Sequence, residues 1–367
     1  MGGRPHATVM PWSRSGPFRL RCVTVTSGAE RRGPGAGMTD VRDGVPVLVL
    51  RSGPPPDPEL VARTVGCVVG AAVGDALGAP FEFLPRGTFR RAIPTPMLQG
   101  TGEMVGGGAF GWAPGEFTDD TQMALALAAS LRDRDGYDPD DLWLRWRTWG
   151  RHAPDVGSTT RHALGHADWR DVRHPDPERT AANGALMRAF PLAPATLHVD
   201  DGTARAVVLH QAITTHAHPA AAWAAWLGVA AMRAALRGAD PFAALDAEVA
   251  AVPASERDRF AAMLDRAWDP DDAEVGNGSA WGCLAQAVWA VRRADGFEDA
   301  VIAAVDLGSD ADTVACVTGA LAGAVHGVVA VPERWAAAVN GRLDTPDGEE
   351  RHDRTTLAAV AVGLLGG

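Results

Sequence analysis

The sequence contains no lysine. All 34 of its basic residues are arginine, and 45 acids outnumber them to give a formal charge of −11. That balance disfavours a surface that wraps bare nucleic acid through phosphate contacts, and cations or cationic groups are the expected partners. Cysteine is scarce: Cys22, Cys67, Cys283 and Cys316 stand far apart with no C-x-x-C pair. Neither a zinc ribbon nor a disulfide framework is supported, and a reducing, cytoplasmic setting fits. A long uninterrupted hydrophobic run is missing too. The most apolar stretch, residues 65–84, carries Asp75, Glu82 and four glycines, which makes it a poor membrane span.

What is present is an ordinary globular mix, 46% hydrophobic and 22% charged over 367 residues, enough for one large core or two modest ones. Residues 1–39 set Arg4, Arg14, Arg19, Arg21, Arg31 and Arg32 against Glu30 alone, with no helical period. They read as a disordered leader, Arg-rich like a transit peptide, with Met38 as a second candidate start. Residues 45–50 suit one short strand, and Pro54-Pro55-Pro56 closes the preamble. The expected division is therefore a leader over 1–57 and one domain over 58–367.

From residue 58 on, the apolar period is close to 3.6, with Ala, Leu and Trp repeating and few β-branched runs. This predicts an all-α domain. Leu142, Trp146 and Trp149 share a face of a helix ended by Gly150, and Pro219 opens another that carries Trp223 and Trp226. Further helices are predicted near 205–217, 255–267, 279–294, 297–306 and 355–365. Two segments carry a glycine at every fourth position: Gly66, Gly70, Gly74 and Gly78, then Gly319, Gly323 and Gly327. Each interior glycine costs a helix roughly 1 kcal/mol relative to alanine, so such seams imply close backbone approach at the centre of the fold.

The chemistry-bearing residues fall in two acidic runs that each precede an apolar helical pattern. In Gly115-Glu116-Phe117-Thr118-Asp119-Asp120-Thr121, Thr118 is a natural N-cap and Asp119 and Asp120 fall in the first turn, where free N–H groups and the helix dipole favour negative charge. First-turn acids are common, so this run alone is weak. Gly308-Ser309-Asp310-Ala311-Asp312-Thr313 repeats the arrangement before the second seam. At a loop-to-helix junction both Asp310 and Asp312 can turn toward one point, and carboxylates with Thr hydroxyls suit a hard divalent cation. If the two runs meet, four aspartates and Glu82 bring five negative charges together. Uncompensated, they would repel and protonate; two divalent cations nearly cancel them.

Five segments in order, GDALGAPFE at 74–82, GEFTDDT at 115–121, NGALMR at 183–188, Thr215-His216 and LGSDADT at 307–313, resemble the ADP-ribosylglycohydrolase family. The resemblance covers nearly all of the chain except the leader. It implies a compact multi-helix fold with two magnesium ions, manganese in some members, at the base of an ADP-ribose cleft. By position it makes Thr118, Asp119, Asp120, Asp310, Asp312 and Thr313 the metal ligands and places Glu82 beside the metals. Asn183, Gly184, His216 and Ser309 become substrate contacts. The chain departs from the family at Ala182, where many members have Gly or Ser, at Thr180, where some have an acid, and at Ser309, a usual glycine. These departures bear on substrate identity more than on the metal site.

The implied reaction is hydrolysis of the bond between ADP-ribose and a modified acceptor, most simply a protein side chain such as arginine, or a small molecule carrying ADP-ribose. An oxocarbenium-like state needs its charge stabilised and a water aimed at the anomeric carbon. Glu82, Asp119, Asp120 and Asp310 are the candidate catalytic acids, and which of them activates water stays open. With no lysine, the diphosphate would be held by main-chain N–H groups at Gly106-Gly107-Gly108 or Asn183-Gly184. Three alternatives stand beside this. A prenyl-diphosphate enzyme would need D-D-x-x-D, and Met123 stands at its last position. An inactive, crystallin-like ADP-ribose binder would have little reason to keep five acids together. Zinc held by His210, His216 and His218 lacks further ligands at suitable spacing.

Overall fold

The computed structural model describes residues 41–42, 44–50 and 56–366, so residues 1–40 of the expected leader lie outside the described residues. The longer helices are α1 (Pro58–Gly78), α2 (Asp119–Asp133), α3 (Pro139–Trp149), α4 (Asp201–Ile213), α5 (Pro219–Leu236), α6 (Pro241–Val249), α7 (Ala254–Met263), α8 (Ala280–Arg293), α9 (Phe297–Val305), α10 (Ala311–His326) and α11 (Arg354–Gly363). The all-α reading holds, and the predicted helices are found within a few residues of their expected bounds.

At the centre, α1 and α10 run antiparallel and pack on one another more extensively than any other pair of elements. The glycine seams face each other. A methyl group placed on Gly66, Gly70 or Gly74 would overlap the carbonyl oxygen of Gly323, Gly319 or Ala315, and one on Gly78 would overlap Asp312 Cα. Only glycine permits this approach, so the propensity cost is met by main-chain packing. Gly327, with φ of 75°, terminates α10, and its main chain still lies against Gly66. The ring around this pair is built largely from α2, α5, α8, α9 and α11. α1 and α5 match a membrane span in length and hydropathy, and both lie mostly buried among the other helices.

Tryptophans position α2. Trp146 Nε1 donates to Met123 O at 3.1 Å and Trp149 Nε1 to Gln122 Oε1 at 2.7 Å, so the predicted α3 face docks onto the helix that carries Asp119 and Asp120.

Two departures concern strands. The single strand expected at 45–50 is divided: β1 (Val41–Arg42) pairs antiparallel with β2 (Val45–Pro46), while Val49 bridges Gly136 and Leu48 is buried. Pro46 has no N–H, so one continuous ladder is not available there. A hairpin not foreseen, β3 (Asn340–Thr345) and β4 (Gly348–Asp353), turns at Pro346-Asp347. It matters for the site because Asn340 N–H donates to Gly115 O at 2.8 Å and Asn340 O accepts from Phe117 N–H at 3.0 Å, clamping the segment that leads into Thr118.

Candidate active site

The N-termini of α2 and α10 converge on one point, and both first turns present acids to it. One carboxylate oxygen each from Asp75, Asp120 and Asp312 lie within 4.8 Å of one another, and so do those from Glu82, Asp155 and Asp312. The two acidic runs therefore meet, with Asp312 common to both groups. Thr118 Oγ1 and Thr313 Oγ1 lie 3.3 and 3.4 Å from Asp120 Oδ2. Both threonines are buried, as are Asp119, Asp120 and Asp312.

Asp75, within the GDALGAPFE segment, has a role that only the structure shows. Thr118 is the N-cap of α2, yet its hydroxyl caps nothing. Instead the buried Asp75 carboxylate accepts from the N–H groups of Thr118 and Thr121 at 3.0 Å each and from Thr121 Oγ1 at 2.6 Å. A side chain of α1 thus does the work of an N-cap for α2. With these donors on it, Asp75 orients the cluster, which leaves Asp120, Asp312, Glu82 and Asp155 as the freer donors.

The loop carrying Asp310 is tied to two asparagines. Asn183 Nδ2 donates to Asp310 Oδ2 at 2.9 Å and to Asn277 O at 3.0 Å. Asn277, buried and missed by the sequence reading, accepts from Asp310 N–H at 3.1 Å and donates to Gly308 O at 2.9 Å. Its only sequence signal is the Asn277-Gly278 step before the N-cap Ser279. Ser309 is exposed and sits at φ of 57°, a left-handed conformation that accounts for the glycine usual there. Its main chain pairs with residues 83 and 84, joining the Glu82 loop to the Asp310 loop: Ser309 O accepts from Phe83 N–H at 2.6 Å, and Ser309 N–H donates to Leu84 O at 2.8 Å.

Next to Asn183, Gly184 opens a short helical turn over Gly184–Met187. A methyl on Gly184 would stand 3.2 Å from the Cε1 and Nε2 atoms of His216. Thr180, where an acid was the alternative, accepts from the N–H groups of Ala217 and His218 at 3.0 and 2.8 Å and so fixes that loop. The three histidines weighed for zinc serve separately: His210 Nδ1 lies 2.7 Å from Tyr137 Oη, and His218 caps α5 by accepting from Ala220 N–H. In the glycine loop Gly107 N–H is engaged by Trp112 O at 2.7 Å, which removes it as a free diphosphate donor.

The electrostatics follow from burial and crowding. Burial, then the charges of Asp155, Asp310 and Asp75, push Glu82 up to about 8. Burial also raises Asp155 to about 6, with Asp310 adding to it, and Asp75 to about 6 against the pull of its hydrogen bonds. Asp119, Asp120 and Asp312 are raised well above the ordinary range, first by burial and then by one another and their acidic neighbours. Asp120 Oδ1 and Glu82 Oε2 are buried with no hydrogen-bond partner among the described residues. Orphaned acceptors in an all-oxygen cluster fit a hard divalent cation, which supplies what the protein withholds.

The sequence profile of the ADP-ribosylglycohydrolase family matches residues 56–365. The chain is 32% identical over 300 residues to the "ADP-ribosylarginine hydrolase Tri1" of Serratia proteamaculans (strain 568), covering 76% of each protein. It is 33% identical to the "ADP-ribosyl-[dinitrogen reductase] glycohydrolase" of Rhodospirillum rubrum, covering 83% of this chain and 98% of that one. Among solved structures, an "ADP-ribosylglycohydrolase-related protein complex" superposes with a TM-score of 0.67 at 37% identity, covering 84% of this chain and 98% of that one.

Proposed function

Since the chain belongs to the ADP-ribosylglycohydrolase family, whose members are enzymes that hydrolyse ADP-ribosyl bonds, we propose that it removes ADP-ribose from arginine side chains of modified protein. We further propose that it does so with two magnesium ions, manganese being the substitute. The observation that carries this is the convergence of Asp120, Asp312, Glu82 and Asp155 with two orphaned carboxylate oxygens. An arginine acceptor is favoured by the printed name of the Serratia relative.

Asp119, Asp120, Asp310 and Asp312, with the hydroxyls of Thr118 and Thr313, would hold the metals, and Asp75 orients them from behind. When bound, the ions would fix the ribose hydroxyls and lower the pKa of a water. Glu82, a member of the cluster, would take the proton of the attacking water. Asp310 is less suited because its Oδ2 is held by Asn183. As the water oxygen bonds to the anomeric carbon, the carbon–nitrogen bond breaks, the electron pair leaves with the guanidine nitrogen, and the proton that Glu82 took from the water is passed on to that nitrogen. Asn183 and Gly184 would line the ADP-ribose side of the cleft.

The test is mass spectrometry of arginine-linked and serine-linked ADP-ribosyl peptides incubated with magnesium, with manganese and with chelator. Metal-dependent release from the arginine linkage is expected. Tight ADP-ribose binding with no release from either peptide would overturn the reading in favour of a binding protein.

A further inference from the structure

Arg188 is fully buried, and the titratable groups whose charges bear on its guanidinium are Tyr137 and Asp119. Its guanidinium lies over the Trp146 ring, 4.1 Å from the centroid. Nε donates to Gln211 Oε1 at 3.0 Å, Nη2 donates to Gln211 O at 3.1 Å and to Thr215 Oγ1 at 2.7 Å, and Nη1 has no hydrogen-bond partner among the described residues. A cation buried this way is costly unless it has a task. The hydroxyl it touches lies 2.8 Å from His216 Nδ1.

We propose that Arg188 is a positioning residue: through Thr215 it fixes His216 as the neutral tautomer protonated on Nε2, so that the ring presents an N–H donor beside Gly184 to an anionic oxygen of ADP-ribose. The ligand in this statement rests on the hydrolase reading above; the tautomer does not.

Counting donors fixes the direction of the relay. Thr215 Oγ1 accepts from the guanidinium, which leaves its single proton for one of two acceptors. Ala212 O is 3.4 Å away and already accepts from the N–H groups of Thr215 and His216 at 3.2 and 3.0 Å. His216 Nδ1 is closer and has no competing donor on it, so the hydroxyl donates to Nδ1 and the ring proton stands on Nε2. A hydroxyl that accepts from a cation is a stronger donor in turn. Burial, with the neighbouring guanidinium, holds the imidazole neutral. His174 steadies the relay, its Nε2 lying 2.7 Å from Thr215 O. The Nε2 edge of His216 faces Gly184, where a side chain would block it.

The experiment is a long-range proton–nitrogen correlation spectrum of the full chain labelled with nitrogen-15 histidine, with and without ADP-ribose, alongside calorimetric titration with ADP-ribose and separately with magnesium. In the unliganded wild type His216 should show an unprotonated Nδ1 and a protonated Nε2. Thr215→Val should shift the proton toward Nδ1 and weaken ADP-ribose binding about tenfold, the loss of roughly one charge-assisted hydrogen bond, with magnesium affinity unchanged. Thr215→Ser should restore both. Arg188→Gln should release the tautomer to a mixture; if that variant does not fold, the Thr215 pair carries the test. A wild-type His216 protonated on Nδ1, or a Thr215→Val protein with unchanged tautomer and affinity, overturns the relay. A wild type with the expected tautomer that fails to bind ADP-ribose overturns the hydrolase reading and, with it, the ligand.

Discussion

The carboxylate of Asp75 accepts from the backbone N–H of Thr121 at 3.0 Å, and through this contact the central helix α1 sets where α2 begins. Asp119 and Asp120 lie between Thr118 and Thr121, the two residues Asp75 holds, so their orientation is inherited from α1. Asp75→Ala leaves two buried N–H groups and a hydroxyl without an acceptor, and stability measured by urea unfolding in magnesium should fall by about 3 kcal/mol. Hydrogen exchange at Thr118 and Thr121 should speed up selectively. Unchanged protection at those two amides would show that the contact is idle.

The glycine seam makes a prediction opposite to helix propensity. Gly319→Ala adds a good helix former, yet its methyl would overlap the carbonyl oxygen of Gly70. Thermal unfolding should show a loss of about 2 kcal/mol or more, together with weaker metal binding because the two helix starts are pushed apart. A neutral or stabilising effect would mean that the helices do not meet through their backbones.

The acidic cluster should make the metal-free protein sensitive to alkali. Glu82 is raised to about 8, and Asp119, Asp120 and Asp312 are raised well above their ordinary values. A folded pKa above the unfolded one gives stability that is present at low pH and lost as pH rises through the folded value. The buried His210 and His216 act the other way, since their depressed values cost stability only as pH falls below about 6.5. Between pH 7 and 8 the acids therefore dominate. In chelator the melting temperature should drop across that interval, and saturating magnesium should raise it more at pH 8 than at pH 7. A chelated protein whose melting temperature is flat or rising there would contradict the crowding.

Ser309 occupies a left-handed conformation while its main chain joins the Glu82 loop. Ser309→Gly should leave the fold intact and stabilise it by up to about 1 kcal/mol. Ser309→Val should destabilise it by about 1–3 kcal/mol and loosen the Glu82 loop, read as a rise in KM for the ADP-ribosyl substrate. Equal stability for both variants would show that the left-handed conformation carries no strain.

Much of this was legible in the sequence because it is local. Helix period, Pro219 at a helix start, Gly150 at a helix end and acids ahead of apolar runs are signals read within one turn of chain. The seams were legible too, since seven glycines at fourfold spacing demand a backbone partner, although only the fold shows that each seam is the other's partner. What escaped are residues whose meaning is wholly tertiary. Asp75 is one acid in a helix until α2 is laid against it, Asp155 is a loop acid until it stands beside Glu82, and Asn277 is a turn residue until Asp310 docks on it. The β3–β4 hairpin was missed for a further reason: only Leu343, Thr345 and His352 are buried along it, so its alternation is too weak to read. Its Asp347-Gly348 step was the available signal.

Gly78, the last residue of α1, lies directly against the main chain of Asp312, so the distance from the end of α1 to the ligand-bearing start of α10 is gauged by peptide units and not by side chains. Such a ruler is insensitive to ordinary drift in the core: a leucine exchanged for a methionine elsewhere repacks its neighbours without stretching the gauge. The same feature makes the centre brittle at a handful of positions, because no side-chain rotamer can absorb an added methyl there. An engineer seeking a different metal spacing, for a larger cation as an example, would have to lengthen or shift a helix by whole residues, since the seam offers no finer adjustment.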